Sequence, residues 1–192
     1  SLRSFFEVAF AFTQDADVGA VMRFLFDQLS YSRASTEALL FGEPLVQGGP
    51  LTPSPYNFKG LGFAILRHGN GNDGMYAGLD YGPHGSWHGH YDKLQLVLFS
   101  HGLLLLPDMG TTAYELPYHW GFFKQALAHN TLLFDDANQG GSENLRNIDV
   151  FRSLSLPKGA GFGVMKATVG EEIFGSKRSG IRTIYMISNE YI

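Results

Sequence analysis

Residues 82–108 of the 192-residue chain read GPHGSWHGHYDKLQLVLFSHGLLLLPD. Two apolar runs in this stretch are separated by Ser100–Gly102, and short apolar runs bounded by Gly and Pro are typical of β-strands. We therefore predict a hairpin with a three-residue loop at Ser100–Gly102. In a regular antiparallel ladder, that loop would pair Leu94 with Asp108.

The chain after residue 60 repeats this pattern. Short apolar runs alternate with clusters of Gly, Asn and Asp, at residues 62–67, 75–81, 131–134, 163–169 and 182–187. Regularly punctuated strands of this kind indicate an antiparallel β-sandwich. One of these strands is expected to begin at His129.

The first 45 residues follow a different pattern. Apolar residues recur at helical spacing over 2–10 and 18–29, which predicts two amphipathic helices. A segment rich in proline and glycine follows, and because proline interrupts helices, the sequence predicts a linker over 46–59. The predicted fold class is therefore mainly β, with a helical part over 1–45 and a sandwich over 60–192.

The two ends of the chain and its helices suggest missing neighbours. The chain begins with a serine and stops within a β-rich run, so we expect it to be truncated at both ends. The predicted helices carry more phenylalanine than two helices can cover. This predicts exposed apolar surface and a tendency to form a homodimer.

The composition argues against several classes of protein. With 14 basic and 18 acidic residues, the chain has a formal charge of -4, so it lacks the basic field that non-specific nucleic-acid binding needs. Its apolar runs are shorter than the roughly 20 residues of a membrane-spanning helix. The absence of cysteine excludes disulfides and thiolate metal sites. The compartment is left undetermined, with a secreted or periplasmic location favoured.

The histidines are concentrated in one part of the chain. Of the seven, His84, His88, His90 and His101 lie within 18 residues of each other. In an extended strand, His88 and His90 would point to the same face as the apolar row that follows. Imidazoles in such a place must be hydrogen-bonded or bound to metal, because burying them unpaired is costly. We therefore expect these histidines to be ligands or catalytic groups.

A metal site needs more ligands than the histidine cluster supplies. Asp108 and His129 are the candidates, since each lies at the end of a predicted strand. Two imidazole nitrogens and one carboxylate oxygen suit Zn²⁺, with water in the fourth position. A regular hairpin would hold Asp108 about four residues, or roughly 13 Å, from His90. A bend or bulge at Gly89 or Pro107 would have to close that gap.

A second class of metalloprotein shares part of this pattern. An H-x-H pair on a β-rich chain also occurs in cupins, where a Glu ligand follows within a few residues. Here Asp92 and Lys93 follow, and no glutamate occurs until Glu115. A cupin-type metal enzyme is therefore a lesser alternative.

Four motifs follow one another in the second half of the chain. They are HGHYDKL at 88–94, LPDMG at 106–110 with Tyr114, AHNT at 128–131, and Gln139. In order and spacing they resemble the heparinase II/III-like family of polysaccharide lyases, and most of all its alginate and oligoalginate lyase branches. The resemblance covers roughly residues 60 to 192.

The resemblance implies a fold and an activity. In this family an α/α toroid precedes a large antiparallel β-sandwich, and the active cleft lies between them. The first 45 residues would then be the last helices of a toroid that is mostly absent here, and on which the sandwich packs. Such lyases cleave polysaccharides that contain uronic acids by β-elimination, so the implied partner is an acidic polysaccharide or oligosaccharide, alginate or heparin-like.

The resemblance also implies roles for single residues. His88, with Tyr114 and His84 as further candidates, would act in catalysis. His90, Asp108 and His129 would hold a structural Zn²⁺ that fixes the wall of the cleft. Contacts with substrate are expected from Lys93, Trp87 and Asn130.

Two functions stay open at this point. The chain is either part of a lyase, inactive alone because the toroid supplies further catalytic groups, or a non-catalytic sandwich module that binds metal and glycan.

Overall fold

The computed structural model divides the chain into two compact units, Ser1–Thr52 and Pro53–Ile192. It describes residues 2–27, 34–44, 54–69, 73–141, 148–155, 161–174 and 177–188.

The first unit is helical. It contains α1 (Leu2–Thr13), α2 (Ala16–Asp27) and α3 (Thr36–Phe41). Asp15 caps α2 by accepting hydrogen bonds from two backbone N–H groups of its first turn, and Ser35 caps α3 by accepting one from the N–H of Ala38. The two predicted helices are confirmed. Over the described part of the chain, no helix has the length and apolar character that crossing a membrane requires.

The second unit opens with a five-stranded antiparallel sheet in which neighbours in sequence are neighbours in space. Its strands are β1 (Tyr56–Phe58), β2 (Phe63–His68), β3 (Met75–Asp80), β4 (Leu96–Ser100) and β5 (Leu103–Leu106). β1 lies within the segment 46–59 for which the sequence predicts a linker. Its residues are ordered by pairing with β2, Tyr56 opposite Ile65.

A three-stranded antiparallel sheet packs on the first one. It consists of β6 (Val150–Ser155), β7 (Gly161–Val169) and β8 (Gly180–Ile187), with a short helix α4 (Glu171–Phe174) between β7 and β8. Apolar side chains of both sheets share one core, built mainly from Ala64, Leu66, Ala77, Leu79, Met165, Ala167, Ile184 and Met186. The predicted antiparallel β-sandwich is confirmed.

The β4–β5 hairpin differs from the predicted one. His101 and Gly102 both have positive φ, and Ser100 pairs directly with Leu103, so the loop has two residues rather than three. A β-bulge then shifts the register, and Leu98 pairs with Leu106. The predicted pairing of residues 94 and 108 is wrong, because β4 begins only at residue 96.

The segment that begins at His129 is not a strand. A single 3-10 turn, Ala126–Ala128, leads into it, and among its described residues only Phe134 makes an isolated β-bridge, to Ala137. The N–H of Leu96, at the start of β4, donates to the carbonyl oxygen of Asn130, and the side chain of Gln139 donates to that of Leu132.

Candidate active site

The residues before β4 form a loop rather than the extended strand that the sequence predicts. Gly85 has a φ of 78°, and a short 3-10 turn follows over Ser86–His88. At Gly89, a Cβ atom would lie 1.4 Å from the carbonyl oxygen of His84, so only glycine fits. The alternation rule therefore does not apply here, and a compact turn sets the positions of His88 and His90.

His88 is paired with a tyrosine from a distant part of the chain. Its Nδ1 atom lies 2.7 Å from the hydroxyl oxygen of Tyr114, and the two rings meet at 66°. Both side chains are accessible to solvent. The pair thus joins two groups that can transfer protons at the surface of the sandwich.

A second cluster lies beside this pair and contains three potential metal ligands. One ligand atom from each of His90, Asp92 and His129 lies within 4.8 Å of the other two. The sequence predicts His90 and His129 for this role, and the fold brings their rings to 5.1 Å between centroids. Asp92 was not among the predicted ligands.

Asp108 contacts the same cluster through His129. Its Oδ2 lies 2.6 Å from Nδ1 of His129, and its Oδ1 accepts a bond from the N–H of Gly110. Burial alone would raise the pKa of Asp108, but these hydrogen bonds outweigh burial and lower it. Burial would likewise lower the pKa of His129, yet the bond and the charge of Asp108 raise it.

The second ring nitrogen of His129 gives the strongest indication of a metal site. The side chain is 1% exposed, and its Nε2 has no hydrogen-bond partner among the described residues. A buried imidazole with a carboxylate on one nitrogen and an unused second nitrogen is the usual arrangement of a metal-binding histidine. Burial, followed by the neighbouring His129, lowers the pKa of His90, which favours the neutral form that binds metal.

Polar side chains hold the loops of the site together. Asn130 donates to the carbonyl oxygen of Pro107, and the guanidinium of Arg182 donates to the carbonyl oxygens of Leu94 and Asn130. Since Arg182 lies on β8, the second sheet anchors the site loops of the first. Gln139 adds hydrogen bonds to both backbone groups of Lys93.

Lys93 is a buried cation. It is 2% exposed, and its Nζ lies 3.3 Å from Asp92 and 3.7 Å from Asp80. Burial raises the pKa of Asp80 to about 6, with a further rise from Asp92 and an opposing effect of Lys93. The charge of Lys93 is thus already matched, and a direct contact of Lys93 with substrate stays a prediction.

His84 and Trp87 flank the pairs described above. The Nδ1 atom of His84 lies 3.0 Å from the carbonyl oxygen of His90, and its ring stacks on Tyr91 at 4.8 Å. Trp87 projects from the 3-10 turn and is largely exposed. Its nearest aromatic neighbour is Trp120, whose ring centroid lies 6.4 Å away.

His119 is a member of the site that the sequence analysis missed. It opens a π-helical segment, His119–Phe123, and is 1% exposed. Its ring packs edge-on against Tyr114, Trp120 and His90, and its Nε2 has no partner among the described residues. No spacing signal marks it in the sequence, although an irregular helical turn of this kind often occurs at functional sites.

A cavity of about 390 Å³ opens along these residues. Its polar walls include His84, His88, His90, Asp92, Lys93 and Tyr114. The cavity therefore joins the His88–Tyr114 pair to the candidate metal cluster.

Comparisons with known proteins agree on one fold. Residues 50–174 match the family described as Heparinase II/III-like, C-terminal. A heparan sulfate lyase mutant from Pedobacter heparinus superimposes with a TM-score of 0.57 at 18% identity, over 91% of this chain and 26% of its own. For a heparinase III the TM-score is 0.60 at 14% identity, over 94% of this chain and 25% of its own.

The chain spans about a quarter of the length of these solved structures. At this identity the structural likeness concerns the fold alone. No curated protein matches the chain significantly.

Proposed function

Because the chain belongs to the heparinase II/III-like family through its C-terminal domain, we propose that it forms part of a polysaccharide lyase. The proposed reaction is β-elimination in a polysaccharide that contains uronic acid, either alginate or a heparin- or heparan-like glycan. Solved structures that share its fold include a heparan sulfate lyase and heparinases III, which supports the second substrate class.

The observation that carries this proposal is the contact between His88 and Tyr114 in the cavity wall. β-Elimination needs a base that removes the C5 proton of the uronate and an acid that protonates the departing 4-oxygen. An imidazole and a phenol in hydrogen-bond contact can hold and exchange a proton between them. We assign the proton transfers on this side of the cleft to these two residues, with His84 as a further candidate.

A structural Zn²⁺ fits the neighbouring cluster. The donors are the Nε2 of His129, which has no partner among the described residues, a nitrogen of His90, whose neutral form is favoured, and two nearby carboxylates. This is the N and O donor set that Zn²⁺ prefers. Asp108 is the proposed carboxylate ligand, and Asp92 offers an oxygen close to both imidazoles. The ion would supply no chemistry to the reaction beyond fixing this wall of the cleft.

Substrate contacts are proposed for three residues. Trp87 offers an exposed aromatic ring, Asn130 follows the candidate ligand His129 in the chain, and Lys93 lines the cavity. Since Lys93 is already paired with carboxylates, its contribution would be to the local potential of the cavity.

The helical unit also supports the proposed architecture. Phe12 is 77% exposed, and Phe5 and Phe24 present further apolar surface. We propose that this surface packs against the rest of an α/α toroid. As an alternative, the same surface would form the contact between the two chains of a homodimer.

The decisive experiment is an absorbance assay for unsaturated uronate products, run on the full-length protein that carries this chain. A panel of heparan sulfate, heparin and alginate should give product with at least one polymer. Binding of a polyuronate without any unsaturated product would identify the alternative, a non-catalytic metal- and glycan-binding module. The family match gives no support to the cupin-type alternative.

A further inference from the structure

Two exposed tryptophans form a second cavity next to the candidate active site. Trp87 is 78% exposed and Trp120 is 46% exposed, and their rings are perpendicular, at 89°. Together with His88 and Tyr114 they line a cavity of about 360 Å³. That volume falls within the range of roughly 300 to 1,000 Å³ that small-molecule sites occupy.

The two cavities adjoin each other. His88 and Tyr114 line both of them, so these residues form a shared wall between the polar cavity and the aromatic one. A linear polymer whose reacting unit contacts His88 and Tyr114 from the polar side would therefore place its next unit against the tryptophans.

Polar contacts hold the ring of Trp120 and the backbone of Trp87 in place. The indole N–H of Trp120 donates to the carbonyl oxygen of Tyr114 at 3.0 Å. The ammonium of Lys124 lies 4.9 Å from the centre of the Trp120 ring and donates to the carbonyl oxygen of Trp87 at 2.9 Å. A ring that is fixed, as that of Trp120 is, loses little conformational freedom when a ligand stacks on it.

We propose that Trp87 and Trp120 form a sugar-stacking subsite for the pyranose unit next to the reacting uronate. The proposal rests on the proposed function for the identity of the ligand, an acidic glycan, and adds to it a specific binding position. A pyranose has an apolar C–H face and a polar edge. Because the two indole rings are perpendicular, one would cover the face and the other would border the sugar, while the imidazole of His88 and the hydroxyl of Tyr114 remain within reach of the edge.

A protein side chain is the other occupant to consider for an exposed aromatic pair. It would account for the tryptophans but not for the position of their cavity beside one lined by histidines, carboxylates and a lysine. A glycan chain fits both parts, because each of its units carries apolar and polar groups.

The chain offers a direct reporter of this subsite. It has two tryptophans, and both belong to the proposed subsite, so all indole fluorescence of the 192-residue chain arises there. Titration with a heparan sulfate or alginate tetrasaccharide should change the emission, with a midpoint that agrees with calorimetry. Binding by calorimetry without a change in emission would contradict the proposal, and so would the absence of binding.

Substitutions separate stacking from general effects on the fold. Trp87→Ala and Trp120→Ala should each weaken tetrasaccharide binding about three- to tenfold, and Trp87→Phe should retain most of the affinity. Tyr185→Ala is the matched control, because Tyr185 is also exposed and packs against another aromatic ring, Phe162, outside this cavity. It should leave binding unchanged.

Activity measurements can refute the proposed subsite and the proposed lyase function independently of each other. In the full-length protein, Trp87→Ala should raise KM and change kcat less, because stacking acts on the bound substrate as well as on the transition state. If binding depends on the tryptophans but no unsaturated product forms, the subsite stands and the lyase proposal fails. If product forms and the tryptophan variants bind and turn over normally, the subsite is refuted, and an effect on dimerisation alone would assign the pair to protein contact.

Discussion

The Nδ1 atom of His88 lies 2.7 Å from the hydroxyl oxygen of Tyr114, although the two residues are 26 positions apart in the chain. His88 belongs to a 3-10 turn that Gly85 and Gly89 make possible, and the ring of Tyr114 rests on buried His119 at 4.5 Å. The pair is thus held from both sides while remaining open to the cavity. This arrangement suits proton transfer to and from a bound sugar.

Removal of the Tyr114 hydroxyl should affect turnover and little else. In Tyr114→Phe the ring keeps its packing on His119, whereas His88 loses its hydrogen-bond partner. In the full-length protein we expect kcat to fall by about 10² or more, with the free energy of unfolding nearly unchanged. Tyr118→Phe is the control, because Tyr118 is 71% exposed and lines neither cavity, and it should retain full activity. Equal kcat values for both variants would remove Tyr114 from the mechanism.

The metal cluster should bind one zinc ion per chain. We expect His90→Ala and His129→Ala to abolish binding, because each removes an imidazole ligand, and Asp108→Asn to weaken it strongly. Loss of the ion should also lower the melting temperature, since a site formed only in the folded chain couples binding to folding. Metal analysis after dialysis against a weak chelator measures this. A wild-type protein without zinc, or an Asp108→Asn variant with unchanged affinity, would contradict the assignment.

Comparison of Asp92→Asn with Asp108→Asn tests the two carboxylates near the ion. Asp92 lies within 4.8 Å of both imidazoles, whereas Asp108 contacts His129 directly. We expect both variants to bind zinc more weakly than wild type, with the larger loss for the residue that ligates the ion. An Asp108→Asn variant that keeps zinc while Asp92→Asn loses it would reassign Asp108 to the support of His129.

Gln139 should be important for stability although it lies outside the cavity. It is buried, its Oε1 accepts from the N–H of Lys93, and its Nε2 donates to two carbonyl oxygens and the hydroxyl of Thr131. Gln139→Leu removes the partner of the Lys93 N–H and of the Leu132 carbonyl oxygen, and should lower the free energy of unfolding by about 1 to 3 kcal/mol. Urea denaturation measures the change. Gln125→Leu, which loses one exposed hydrogen bond to Trp120, should cost less, and the reverse order would refute this role.

The buried carboxyl group of Asp80 should make stability depend on pH. Burial raises its pKa from 3.8 to about 6 against the pull of Lys93, so between these pH values the folded chain holds a proton that the unfolded chain releases. The bound proton stabilises the folded chain. Its contribution to the free energy of unfolding is fully present below about pH 4 and is lost as the pH rises through about 6. In chelator-treated protein, the free energy of unfolding of wild type minus that of Asp80→Asn should decrease as the pH rises across this window. A pH-independent difference would contradict it.

The sequence predicted the regular parts of the fold because they follow simple periodicities. Strands β2, β3, β7 and β8 lie where apolar runs end at Gly, Asn or Asp clusters. The site loops follow no such period. Gly85 and Gly89 allow a tight turn where the alternation of His88 and His90 suggested a strand, and side-chain hydrogen bonds from Gln139 replace a ladder beside His129.

Contacts between residues far apart in the chain limit how much of the site the sequence can predict. His90, Asp108 and His129 could be selected from motifs, and the fold does bring them together. His119 has no neighbouring histidine in sequence, and its contact with His90 depends on how a π-helical segment packs against the distant loop that carries His90. Pairings of this kind become visible only in three dimensions.

The central claim, that His88 acts in elimination while His90 holds metal, is tested by measuring both properties on the same protein preparations. In the full-length protein, His88→Ala should retain zinc and its melting temperature but lose about 10² to 10³ in the rate of unsaturated uronate formation. His90→Ala should lose zinc and stability together. An His88→Ala variant that forms product at a near-normal rate, or that releases zinc as His90→Ala does, would contradict this division of roles.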